Sequence, residues 1–115
     1  MTFLETLKIL AAVSTTIVGL VVAILPRSVS FFTGIEFPEN KSVTEIRAAL
    51  GGVFIGLGLA PFVLGAPAAY EVLGLVYAII AGLRVLSMIV DEAFVPWNFA
   101  NLFFEVLFAV LLLAF

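Results

Sequence analysis

The 115-residue sequence contains no cysteine and no histidine. Disulfides, thiol chemistry, imidazole bases and His- or Cys-built metal sites are excluded at once. Charge is scarce as well. Five Lys and Arg face eight Asp and Glu, charged residues make up 11% of the chain, and the formal net charge is −3. Five dispersed cations form no phosphate-tracking stripe, so nucleic acid is not an expected partner. No metal and no organic cofactor is called for by these residues.

Apolar residues are what the chain has. They account for 64% of it, twelve of them Phe, and mean hydropathy is +1.33. That composition lies outside the range of soluble domains and places the chain in a lipid bilayer as one domain. Met1 to Leu7 carries Glu5 and no cation, and no small-x-small cleavage site follows the apolar run from Ile9 to Leu25. It reads as a retained membrane span, not a leader.

Four spans are predicted, at about 3–25, 43–64, 68–90 and 97–115, each long enough to cross a hydrocarbon core of about 30 Å. Pro26 ends the first, because a residue preceding proline leaves the helical region. Ala12, Thr16, Gly19 and Ala23 share one face of it, a small-residue stripe suited to helix packing. Ser14, Thr15 and Thr16 are expected to bond the carbonyls four residues back. Between spans one and two, Phe31, Phe32, Ile35 and Phe37 are too apolar for a free loop and predict an interfacial segment. Ser42 and Glu45 have the S-x-x-E spacing of a capping box for span two, and Pro61 is expected to break or kink its far end. The connection at 65–67 is too short for anything but a hairpin. On the third span Gly74, Ala78 and Ala81 form another small stripe, with Tyr77, Arg84 and Asp91 recurring every seven residues beside it. The expected fold is an all-α, integral membrane four-helix bundle, antiparallel, with an interfacial segment between helices 1 and 2. Both termini then share one side, and the distribution of Arg and Lys favours the opposite loops in the cytoplasm.

Glycine is concentrated on the second span at Gly51, Gly52, Gly56 and Gly58. In water each would weaken the helix by about 0.5–1 kcal/mol relative to Ala, but between membrane helices small residues allow close approach. All four are candidate packing positions. Nearly all other polarity gathers at the end of the spans that carries the first and third loops: Glu45, Arg47, Arg84, Asp91, Asn98, Asn101 and Glu105. Arg84 lies seven residues before Asp91, about 10 Å along a helix, and Glu105 lies eight beyond Trp97, about 12 Å. A lone charge at a helix centre costs about 2.5–3.5 kcal/mol on insertion scales, so these two are expected to face inward and to pair. Arg47 is expected beside Asp91 or Glu45. The structural alternatives are a capping role for Glu45, snorkelling for Arg47 and a register-setting ion pair for Arg84 and Glu105.

At Glu45-Ile46-Arg47-Ala48, followed by Gly51-Gly52 and the Gly56-x-Gly58 pair, the chain resembles a known family. It is similar to the small bacterial membrane proteins grouped as domain of unknown function 4345, four-helix proteins like DoxX in outline. The family pattern continues with a Gly-x-x-Arg-like motif and an Asp on the third helix and a Glu on the fourth, which fall here on Gly82 and Arg84, Asp91 and Glu105. Gly82 stands only two residues before Arg84, and the family's Gly after the Asp is Glu92 here. The resemblance implies a fold and residence in a bacterial inner membrane, and no activity.

Three functions fit this reading. The first is binding of an amphiphile (a lipid, quinone or isoprenoid-like molecule), its head on Arg47 and Arg84 with Asp91, Asn98, Asn101 and Glu105 around it, its tail along the glycine grooves. The second is a membrane isomerase or cyclase in which Glu45 or Glu105 moves protons. The third is a structural subunit docking partner helices or a second copy of itself through the glycine faces.

Overall fold

The computed structural model describes residues 2–115; Met1 and the side chain of Phe32 lie outside that description. The protein is all-α. Helix α1 spans Phe3–Ile24, a short α2 spans Ser28–Thr33, α3 spans Asn40–Leu64, α4 spans Ala68–Val90 and α5 spans Pro96–Ala114. All but α2 are long and apolar enough to cross a membrane. Only 17% to 28% of the most apolar window of each is buried, so the large side chains mostly face outward. Ile17, Leu83, Leu86 and Phe103 are among those more than half exposed. In water such a surface would drive aggregation, whereas against acyl chains it is the natural exterior. The chain is an integral, multi-pass membrane protein.

Two compact units can be distinguished, Leu10–Gly65 and Ala66–Phe115, the latter together with the start of the chain up to Ile9.

In the first unit α1 and α3 run antiparallel through small residues. Gly51 lies against Ala23 and the Gly19 carbonyl, Gly19 against Ile55, and Gly58 against Thr16 and Ala12. A β-carbon at Gly58 would stand 2.7 Å from the Thr16 backbone nitrogen and 2.8 Å from the Ala12 carbonyl oxygen. Only a residue without one permits that approach. The stripe expected on the first span is therefore in use. Thr15 and Thr16 donate their hydroxyls to the carbonyls of Ala11 and Ala12, at 2.8 and 2.9 Å, which removes both groups from the apolar surroundings. In α2, Val29 is buried while Phe31 is 86% exposed.

Helix α3 ends at Leu64 as expected, but departs from expectation at its start and in the middle. It starts at Asn40, with Glu39 in extended conformation (φ −133°, ψ 157°) as the N-cap residue, so Ser42 lies inside the first turn and forms no capping box with Glu45. The reciprocal box belongs to α1 instead. The Glu5 N–H donates to Thr2 Oγ1 at 3.1 Å and the Thr2 N–H to Glu5 Oε2 at 3.3 Å, the same T-x-x-E spacing at a true helix start. Pro61 is buried within α3, and the helix continues to Leu64 before Gly65, at φ 61°, closes it. Lacking an N–H, Pro61 forfeits the bond to the Leu57 carbonyl, and the helix runs on for three residues beyond it. Between Ile46 and Gly51 the helix widens into a π turn, whose bonds reach five residues instead of four.

In the second unit α4 and α5 pack antiparallel, with Gly74 against Leu112 and Leu113. Leu73, Ala81 and Met88 of α4 are buried, as are Glu105, Ala109 and Leu112 of α5. Tyr77 meets Phe108 edge to face, ring centroids 5.3 Å apart. Helix α4 ends in a Schellman-type turn, in which the Ala93 N–H donates to the Met88 carbonyl at 3.0 Å. The left-handed residue that this turn requires is Glu92, at φ 54°. A non-glycine residue there costs about 1–2 kcal/mol, part of which glycine returns through its greater freedom when unfolded. Glu92→Gly is accordingly expected to stabilise the protein by roughly 0.5–1 kcal/mol. Chemical unfolding in mixed micelles measures this, and an unchanged or lowered midpoint would contradict it.

Candidate functional site

The polar site forms where α4 and α5 approach their shared loop. Glu105 occupies the buried stripe of α5, one turn before Ala109 and two before Leu112, so its carboxylate is only 10% exposed. An ionised group in that position needs a counter-charge with good geometry. Arg84 supplies it. Arg84 Nε donates to both carboxylate oxygens at 2.8 Å, and Nη2 donates to Oε1 at 2.6 Å. Arg84 Nη1 donates to Asn98 Oδ1 at 3.0 Å, and Asn98 Nδ2 in turn donates to the Ala93 carbonyl at 2.9 Å. The amide orientation is fixed by chemistry, because guanidinium has no acceptor and the carbonyl no donor. One connected network thus joins α4, α5 and the loop between them.

Of the other residues singled out in the sequence, each has a different situation. Asn101 bonds back along its own helix, Nδ2 to the Trp97 carbonyl at 3.1 Å. Asp91 accepts the Ser87 hydroxyl at 2.6 Å. Arg47 sits in the other unit, in the π turn, and donates Nε to the Ala23 carbonyl at 2.7 Å. That carbonyl belongs to the last turn of α1, where carbonyls lack partners within the helix, so Arg47 acts as a cationic C-cap. Glu45 is exposed and not within ion-pair distance of Arg47. Gly51 and Gly58 are buried packing points, whereas Gly52 and Gly56 are exposed, with open space where a β-carbon would lie. The grooves expected to hold a tail at Gly51 and Gly58 are filled by α1 itself.

A cleft of about 290 Å³ opens beside the network, lined by Ile80, Leu83, Arg84, Ser87 and Asn98. No family model, no curated protein and no solved structure matches this chain. The site speaks only through its own chemistry. Guanidinium carries five N–H groups, and Glu105 and Asn98 engage three, leaving one on each Nη of a side chain that lines the cleft. The arginine side chain is 27% exposed. Ser87, whose hydroxyl hydrogen is committed to Asp91, presents lone pairs as an acceptor. Sequence reading missed Ser87, although its spacing gave it away: it is one turn beyond Arg84 and one turn before Asp91, on the same face. A second hollow of about 520 Å³ lies along α5 between Phe99, Phe103, Val106 and Val110, and it carries no such polar group.

Proposed function

We propose that this membrane protein binds the head of an amphiphile in the cleft beside Arg84, with the tail along Ile80 and Leu83. The observation that carries this reading is a guanidinium held rigidly by Glu105 and Asn98 that still offers N–H donors to an open cleft with apolar walls. Ligand sites generally combine such walls with a few fixed polar groups. A proton-transfer role for Glu105 is less well supported, since both of its oxygens accept from Arg84. Kinship with domain of unknown function 4345, and with it a bacterial inner-membrane location, is part of the same proposal. Its support is the Glu45–Ala48 motif and the glycines that follow. The test is mass spectrometry of the protein purified in a mild detergent. A defined small amphiphile should accompany the wild type and be absent from Arg84→Met/Glu105→Leu. Retention of the same molecules by that variant at the same ratio would overturn the proposal.

A further inference from the structure

Resting on the cleft as an amphiphile site, we infer that its ligand carries an uncharged head with carbonyl oxygens, and that anionic amphiphiles are refused. Two independent observations lead there. The first is charge. Arg84 is the only cation at this end of the α4–α5 pair, and Glu105 already neutralises it through three hydrogen bonds. Asp91, which accepts the Ser87 hydroxyl, and Glu92 next to it in the chain add two exposed negative charges at the same end of the helix pair. Within the α4–α5 pair the sum is therefore negative, and an anion would meet a donor whose charge is spent and neighbouring carboxylates that repel it.

The second is depth. Arg84 lies seven residues inside Asp91, about 10 Å along the helix. A phosphate or carboxylate drawn that far below the headgroups would lose its hydration with no net positive charge to replace it. A carbonyl loses far less and is matched by the two remaining guanidinium N–H groups. A hydroxyl beside the carbonyl would find the Ser87 oxygen, which is made a better acceptor by giving its own hydrogen to Asp91. Two kinds of membrane molecule share this chemistry, the alkylated quinones and the glycerol esters.

The experiment uses the full chain in maltoside micelles and reads the thermal midpoint with each of four probes. Decyl-benzoquinone and 1,2-dioctanoylglycerol are uncharged; decanoate and dioctanoyl phosphatidylglycerol are anionic. Each shift is taken as the difference between wild type and Arg84→Met/Glu105→Leu, which removes effects on the micelle. At least one uncharged probe should raise the wild-type midpoint by mass action, and neither anion should. The larger of the two uncharged shifts identifies the source. Glu105→Gln, which keeps an acceptor but frees the charge of Arg84, should reverse the preference toward decanoate by about tenfold or more. Stronger stabilisation by the anions in wild type, lost in the double variant, would overturn the uncharged class while keeping the cleft as the site. Equal shifts in wild type and double variant for all four probes would overturn the cleft reading itself.

Discussion

Arg84→Met and Glu105→Leu should each destabilise the protein by about 3–5 kcal/mol, and the double variant by far less than their sum. Each single change strands one charge in a place built for a pair. The two are not expected to be equal. Arg84→Met leaves a carboxylate only 10% exposed, whereas Glu105→Leu leaves a guanidinium that is 27% exposed and still bonded to Asn98. The arginine deletion should therefore fall at the upper end of the range. With both groups gone, Met and Leu fill similar volume and no charge needs solvation. Unfolding in mixed micelles, followed through the four forms of a double-mutant cycle, isolates the coupling between the two side chains. Simple additivity would mean that the hydrogen bonds between them carry no net energy. A double variant that folds well and yet loses its bound amphiphile would separate function from architecture.

The second large effect concerns glycine, and its sign should change within two residues. Gly58→Ala pushes a methyl group against the backbone of Thr16 and the carbonyl of Ala12, atoms that cannot rotate away. Helices α1 and α3 must move apart, at an expected cost of about 1–3 kcal/mol or somewhat more. Gly19→Ala meets the Ile55 backbone nitrogen at 2.6 Å and should behave alike. Gly56→Ala and Gly52→Ala point into open space and remove only the conformational freedom of glycine, with a gain of about 0.5–1 kcal/mol. Thermal midpoints of these four variants check the assignment. A loss at Gly56 equal to that at Gly58 would show that a further surface covers that face.

The contrast between these glycines marks where sequence reading stops. Helix existence was legible because an unbroken apolar run has one use in a bilayer, and prolines at 26, 67 and 96 set its limits to within a few residues. The approach of Arg84 to Glu105 was legible because depth along two antiparallel helices can be counted and an unpaired charge there is costly. The pair Gly52 and Gly56 has the favoured small-xxx-small spacing, but spacing does not fix which way a helix is turned. Phase depends on the π turn just before them, and neither Ile46 nor Gly51 announces a widened backbone. Capping shows the same limit. Ser42-x-x-Glu45 and Thr2-x-x-Glu5 are equivalent as patterns, yet only the second coincides with a helix start, since the extended Glu39 caps α3 at Asn40, three residues ahead of Val43, the expected first helical residue. Glu92 adopts a left-handed backbone for the sake of a turn, a fact about geometry that a glutamate does not advertise.

The π turn also has a genealogical meaning. A turn that closes over five residues holds one more than an ordinary helix of the same length. Removing a single residue between Ile46 and Gly51 would restore α geometry and leave Gly51, Ile55 and Gly58 facing α1 as before. The same deletion further along, between Gly51 and Gly58, would turn the later contacts by about 100° and break the interface. When relatives of this chain are aligned, a one-residue gap is therefore admissible within Arg47–Leu50, and the arginine that caps α1 is the residue whose register such a gap puts at stake.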